Sequence, residues 1–245
     1  MKATITNFEY ATDLLEHLID SHANLTTLAI CSTRKDFLTQ IAPIILTPRP
    51  QEIPPSQESF IDDDPTPKSN PLPHRLLIPT LQLLARSRTI KLVYCPSIDT
   101  LRAYLSSYAA PVVAPVVAPE STGSVSSSKP LLAILDLVLL HHATSEFSVQ
   151  GLMRTFASAV ETANRNSMDL LLCECKDIHD PTNPSRGLRL WDTDVPLLSG
   201  SVRLGSGGSS FAGRMVSVRR VAGRWFSFEK SRRNREEPDD EEMLI

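Results

Sequence analysis

The feature that most constrains the fold is an apolar run at residues 131–140, LLAILDLVLL, which only Asp136 interrupts. A near-continuous run of this kind is typical of a strand that is buried on both faces, as in a parallel sheet that helices cover on either side. We therefore expect residues 131–140 to form the central strand of such a sheet.

Further strands and helices alternate on both sides of this run. Short apolar runs predict buried strands at residues 25–31, 90–94 and 170–175. Segments with the 3.6-residue period of amphipathic helices lie between the strands, at residues 10–20, 34–41, 79–85, 97–108 and 149–166. This alternation predicts an α/β fold built on a three-layer, mostly parallel sheet.

The pattern changes after Pro196. Three short runs of alternating polarity follow, at residues 197–204, 214–221 and 224–229, and the dipeptide Ala222-Gly223 suits a tight turn between the last two. We therefore expect a C-terminal antiparallel β-meander that forms an antiparallel edge of the sheet.

Two stretches have compositions that do not favour a packed core. Residues 48–74 contain eight prolines and an acidic cluster, and residues 109–129 repeat the unit Ala-Pro-Val-Val. Such segments bury too little apolar surface to become ordered. We predict a single domain at residues 1–235 with disordered insertions at 48–74 and 109–129, followed by an acidic tail at residues 236–245.

Asp136 is the main candidate for nucleotide chemistry. An acid that follows a buried strand can reach a magnesium ion at the edge of a sheet, as the Walker B aspartate does. The companion motif G-x-x-x-x-G-K-[ST] is absent, and no glycine precedes Gly123. Backbone amides wrap around a phosphate in conformations that glycine favours. We therefore expect no catalytic activity and no cofactor, with Asp136 as a vestigial Walker B-like residue.

The remaining polar candidates favour structural roles. Cys173 and Cys175 lie two residues apart on one face of a strand, and no second pair of ligands accompanies them, so we expect reduced core thiols and no metal site. His141 and His142 are predicted to be a loop-facing pair. Glu174, inside an apolar strand, is predicted to make structural hydrogen bonds.

A basic block near the C-terminal end is the strongest signal for a partner. Between residues 200 and 235 there are nine Lys and Arg residues and one acid. Arg219, Arg220 and Arg224 flank the predicted turn, and Trp225 and Phe226 follow them. This combination suits the phosphates and bases of single-stranded nucleic acid. It equally suits a solvated edge strand that charge protects from aggregation.

The order of these features resembles the second half of a RecA-type recombinase core. A buried strand with Asp136, a helix at residues 150–166 and a strand at residues 170–175 have that spacing. Residues 28–38, LAICSTRKDFL, resemble the strand-plus-arginine segment of the small recombinase paralogues. Residues 90–108, IKLVYCPSIDTLRAYLSSY, and residues 224–228, RWFSF, resemble segments of the SWIM-domain-associated, ATPase-like subunit of Shu-type complexes.

The resemblance implies a RecA-like fold and a non-catalytic subunit of a Shu-type recombination mediator. Such a subunit would work in the nucleus with another mediator or recombinase-paralogue subunit, and would support homologous recombination and DNA repair. No apolar run approaches the length of a membrane span. Of the alternatives, a P-loop-free RecA-fold subunit of the Elongator accessory ring would act in tRNA modification. A degenerate ATPase would use Asp136 with a phosphate loop from a neighbour.

The resemblance also implies that the loop after residues 170–175 faces DNA. The candidate nucleic-acid contacts are Lys176, Arg186, Arg189, Trp191, Arg219, Arg220 and Arg224. Within this set Trp191 would stack on the bases of single-stranded DNA, and its alternative place is the hydrophobic core. Four aspartates in the same loop make its net charge slightly negative, so we expect weak binding that does not depend on sequence.

Overall fold

The computed structural model describes residues 1–21, 25–47, 73–109, 129–198 and 215–229. The predicted insertions fall almost entirely outside these ranges, as do the glycine-rich loop after residue 204, the basic residues 230–235 and the acidic tail. One boundary is corrected within them. His74 is buried and caps the short 3-10 helix Arg75–Leu77, so the first predicted insertion extends too far at its C-terminal end.

In the described part of the chain, six parallel strands form the central sheet and two further strands form a small antiparallel pair. The order of the strands across the large sheet is β3-β2-β4-β5-β1-β8, and β6 pairs with β7. The bounds are Ala3–Ile5 (β1), Thr26–Ile30 (β2), Ile90–Tyr94 (β3), Leu131–Leu135 (β4), Asp169–Cys173 (β5), Asp194–Pro196 (β6), Met215–Ser217 (β7) and Ser227–Phe228 (β8).

Helices cover both faces of this sheet, which confirms the predicted α/β class and three layers. Their bounds are Ala11–Ser21 (α1), Arg34–Leu46 (α2), Leu81–Ser87 (α3), Ile98–Ser107 (α4), Leu137–His142 (α5), Val149–Arg165 (α6) and Val218–Ala222 (α7). Helices α1 and α2 pack on one face, and α4, α6 and α7 pack on the other. The architecture is consistent with a RecA-like fold.

Strand β4 shows why the centre of the sheet is so apolar. Leu132 and Ile134 face the core under α4 and α6, whereas Leu131, Ala133 and Leu135 face the core under α1 and α2. Both sets are almost completely buried. The strand is therefore central and covered on both sides, as the sequence predicted.

The predicted extension of this strand through residue 140 is wrong. The strand ends at Leu135, and Asp136 takes a left-handed conformation with φ 60° and ψ 40°. The chain then enters α5, in which His141 is buried, so the expected loop-facing histidine pair is also wrong. An apolar run cannot by its composition distinguish a buried strand from a buried helix, and here it contains both.

The C-terminal elements also differ from the predicted meander. Among the described residues β7 pairs antiparallel with β6, whereas β8 lies parallel to β1 at the edge of the large sheet. Residues 199–204 of the first predicted run lie outside the described residues. Val218, Val221 and Ala222 are buried at the spacing of a helix and form α7. Gly223 therefore ends a helix and does not form a hairpin turn. Strand β1, which the sequence did not predict, brings the N-terminal residues into the sheet.

Candidate functional site

A shallow cleft lies outside the carboxyl ends of β2, β4 and β5. In open α/β sheets this edge is where ligands usually bind, because the loops that follow neighbouring strands converge there. Its polar lining includes Tyr10, Ser32, Gln40, Asp136, Lys176 and Arg186. The cleft encloses about 30 Å³, whereas clefts that bind small molecules typically enclose about 300–1,000 Å³.

Asp136 occupies the centre of this edge. Its left-handed backbone turns the chain from β4 into α5, and the N–H of Cys175 donates to its Oδ1 at 3.0 Å. Burial raises the pKa of Asp136 to about 6, although that hydrogen bond and the nearby Arg186 oppose the rise. Asp136 therefore lies at the end of a central strand, and not inside a strand that runs on through residue 140.

Glu174 follows β5 and binds the first turn of α5. The N–H groups of Val138 and Leu139 donate to its two carboxylate oxygens, at 2.6 and 3.2 Å. These are groups in the first turn of α5 that lack partners within the helix. Burial, together with the neighbouring Asp136, raises the pKa of Glu174 well above its usual range. The predicted structural hydrogen-bonding role of Glu174 is confirmed.

Arg186 provides the positive charge inside this acidic edge. Its guanidinium lies 3.5 Å from Asp136 Oδ2 and 3.8 Å from Asp177 Oδ2, and its side chain is mostly buried. The next residue, Gly187, has φ +66° and lies so close to Lys176 that a Cβ would come within 3.0 Å of the lysine side chain. This glycine therefore lets the loop turn back and hold Arg186 over the end of β4.

The loop between β1 and α1 takes the position that a phosphate-binding loop has in nucleotide-binding α/β sheets. Here it presents Glu9, whose carbonyl accepts the N–H of Lys176 at 2.9 Å. The carboxylate of Glu9 also accepts from Lys176 Nζ at 2.9 Å. Both charges at this point are thus paired within the chain. The sequence pattern did not predict the contact between Glu9 and Lys176. From the absence of glycine before α1 it predicted only that this loop does not bind a phosphate.

The chemical character of the edge follows from these pairs. Asp136, Glu174 and Asp177 are the acids of this edge, and Arg186 pairs with Asp136 and Asp177. Within the described residues no group of three or more histidines, cysteines or acids is arranged to hold a metal ion. All four cysteines lie in those residues; they are buried and not in disulfides, and Cys173 Sγ is 3.6 Å from Cys175 Sγ. The cations of this edge, Lys176 and Arg186, thus pair with acids of the same chain.

A second polar cluster joins α4, α5 and α6 on the other side of the sheet, and sequence reasoning missed it. Arg102 donates to Glu146, Thr155 and the carbonyl of Gly151, at 2.9 to 3.0 Å. His141 contacts Thr155 Oγ1 at 3.0 Å, and burial lowers the pKa of His141 to about 4. The histidine is therefore neutral at physiological pH and serves to join the helices.

Two of the predicted nucleic-acid contacts are in the wrong place. Trp191 is completely buried and packs edge-to-face on Phe228, with ring centroids 5.6 Å apart. It cannot stack on a base in this conformation, and the core placement that the sequence left open is confirmed. The predicted contact of Arg186 with nucleic acid is wrong for a different reason: its guanidinium points at Asp136 and Asp177.

The other candidates lie at or near the surface. Lys176 is partly exposed and paired with Glu9. Arg219 donates to Asp192 at 2.7 Å and lies over the ring of Phe228. The other exposed arginines of the predicted nucleic-acid contacts lie on the 3-10 helix Gly187–Asp192 or on α7 and the residues just after it. These two elements pack together. We call these residues the arginine surface: Arg189, Arg219, Arg220 and Arg224.

The chain was compared with families of known proteins. A family model described as SPAC22G7.03-like matches residues 14–243. No curated protein and no solved structure matches. In the described parts of the chain, no helix combines the length and the apolar character needed to span a bilayer.

Proposed function

The chain belongs to the SPAC22G7.03-like family, and from the geometry of its sheet edge we propose that it is a non-catalytic RecA-like subunit of a protein complex. We propose further that this complex is a Shu-type recombination mediator in the nucleus. The subunit would bind another mediator or recombinase-paralogue subunit there, and would support homologous recombination and DNA repair.

The observation that carries the non-catalytic part is the ion pair between Arg186 and Asp136. The guanidinium is held against the carboxylate that would otherwise face a magnesium ion. The contact between Glu9 and Lys176 occupies the neighbouring loop. Only about 30 Å³ of the cleft stays open. A nucleotide would have to displace these pairs and supply its own phosphate ligands.

The recombination part rests on the resemblance together with the arrangement of the fold. The parallel order β3-β2-β4-β5-β1, with Asp136 at the end of β4, is the framework expected of a RecA-like core. A chain with such a core and no reaction of its own acts by association. We therefore expect the chain to form a stable complex with a cognate subunit.

Contact with DNA is proposed for the arginine surface. Arg220 and Arg224 are exposed, and neither forms an ion pair with another described residue. Arg219 is partly neutralised by Asp192. Because few charges are available and Trp191 is in the core, we expect weak binding to single-stranded DNA. Each phosphate contact should contribute about 0.7 to the logarithmic salt slope.

Affinity purification of the tagged chain, with mass spectrometry, tests the assignment to a complex. A recombinase paralogue or mediator subunit in stoichiometric amount is the expected result. Subunits of the Elongator accessory ring would overturn the recombination assignment and favour a role in tRNA modification.

Binding of the reconstituted complex to labelled single-stranded DNA at several salt concentrations tests the arginine surface. The pair of changes Arg220→Gln and Arg224→Gln should lower both affinity and salt slope, the slope by about 1.4 for two lost contacts. Arg34→Gln, on the first turn of α2, is the matched control for removing an exposed arginine. An unchanged slope in the double variant would remove DNA contact from this surface.

A further inference from the structure

Helix α3 exposes an apolar face to solvent. Leu81 is 86% exposed and Leu84 is 51% exposed, and Arg88 follows at the helix end. Residues three and seven positions apart lie on one side of a helix, so these three side chains form a continuous stripe. A stripe of leucines that ends in an arginine is unusual on a surface that only water contacts.

The stripe continues onto the edge of the sheet. Strand β3 is an outer strand, paired with β2 on one side and with no described strand on the other. Leu92, which is 43% exposed, pairs in register with Leu28 and so lies on the same face as α1 and α2. Helix α3 packs against α1 on this face. The docking surface therefore consists of Leu81, Leu84, Arg88 and Leu92.

Charge indicates what kind of segment fits this surface. Residues 73–98 contain no Asp or Glu. Arg75 is paired with Asp20 on α1, but Arg88 forms no ion pair with any other described residue. Two copies of such a surface would repel each other, whereas an acidic segment with apolar residues would complement both its charge and its leucines.

Two segments of the chain combine acids with apolar residues: residues 58–64, ESFIDDD, carry four acids, and the C-terminal residues carry more. Residues 236–245, EEPDDEEMLI, carry six acids and end in Met243, Leu244 and Ile245. We propose that this acidic tail docks on the surface formed by Leu81, Leu84, Arg88 and Leu92 of the same chain. Its apolar residues contact the leucines, and its carboxylates lie near Arg88.

The length of the chain permits this contact. Glu229 follows β8, and β8 lies five strand spacings from β3, which is about 24 Å at about 4.8 Å for each spacing. The length of β3 adds about 17 Å at about 3.3 Å for each residue. The sixteen residues 230–245 can extend over about 53 Å. The last residues of the tail can therefore reach α3 from the opposite edge of the sheet.

Hydrogen exchange on the full-length chain tests this contact. A seven-residue helix with exposed leucines opens readily unless something covers it, so the amides of Leu81–Ser87 report on docking. In one variant the six tail acids become Gln or Asn, and in another the last three residues become Ser. In each of these two variants the amides of α3 should exchange at least about threefold faster than in the wild-type chain. Raising salt should accelerate the wild-type chain in the same way.

Surface variants complete the test. Leu84→Ser and Arg88→Glu should remove the effect of the tail changes, because the docking surface is then already lost. Leu198→Ser and Arg154→Glu, at exposed positions elsewhere, should leave it intact. Identical exchange at α3 in the wild-type chain and the tail variants would overturn the proposal. A tail-dependent dimer in sedimentation would overturn docking within the same chain.

Discussion

Replacing Arg186 by methionine tests whether its charge holds the sheet edge together. Methionine keeps a long side chain but has no charge, so Asp136 would be left without its cation. In the wild-type fold the pKa of Asp136 is about 6 against the usual 3.8, because the carboxyl group is buried. A shift of about two units costs the folded state about 3 kcal/mol once the group is ionised.

The sign of the pH dependence follows from this shift. A carboxyl group whose pKa is raised in the fold binds a proton more tightly there than in the unfolded chain. The contribution of Asp136 to stability is therefore highest below pH 4 and falls as pH rises from about 4 to about 6. Removal of Arg186 raises the pKa of Asp136 further, so the decline continues above pH 6. We expect Arg186→Met to cost under about 1 kcal/mol at pH 5.

At pH 8 we expect a loss of about 2–3 kcal/mol. This lies below the roughly 3–5 kcal/mol typical of a broken buried pair, since the Arg186 side chain is 22% exposed. Urea unfolding at pH 5, 6, 7 and 8 measures the loss from the midpoint at constant slope. Adding Asp136→Asn, which keeps the acceptor for the Cys175 N–H, should restore most of it. An equal loss at pH 5 and pH 8 would refute the assignment of the loss to Asp136.

Three further predictions concern stability and are measured by thermal or urea unfolding. Trp191→Ala should cost about 3–5 kcal/mol, because a fully buried aromatic side chain leaves a cavity; a loss below about 1 kcal/mol would place the indole at the surface. Gly151→Ala should destabilise the junction of α5 and α6, since the added Cβ would overlap the carbonyl oxygen of Glu146, and unchanged stability would contradict that contact. Deleting residues 50–70 should barely change the melting temperature, because the cost of loop closure varies slowly with length, whereas a drop of many degrees would mean that this segment is docked.

Most elements of the sheet could be predicted from the sequence because their periodicity is strong. The apolar run around Asp136 identified the central strand, and the 3.6-residue period of the apolar residues identified α4 and α6. Strand β1 was not predicted, because a strand of three residues is too short to show a period. Residues 137–142 were misassigned because a helix buried on all sides has the same composition as a buried strand.

The candidate site could be predicted only in part. The hydrogen-bonding role of Glu174 was predicted from its place in an apolar strand, whereas the apolar run through residue 140 concealed that β4 ends before Asp136. The pairing of Arg186 with Asp136 could not be predicted, because the two residues lie fifty positions apart in the sequence. Trp191 was ambiguous for a similar reason: its burial depends on Phe228, which β8 brings beside it. Contacts between distant segments leave no local pattern in a sequence.

The most direct test of the central claim is calorimetric titration of the purified chain with ATP and magnesium. The account predicts no binding up to millimolar nucleotide, because Arg186 and Lys176 are already paired with acids and the cleft holds about 30 Å³. Asp136→Asn should then leave the titration unchanged. A micromolar dissociation constant that Asp136→Asn weakens would contradict the account and identify a functioning nucleotide site.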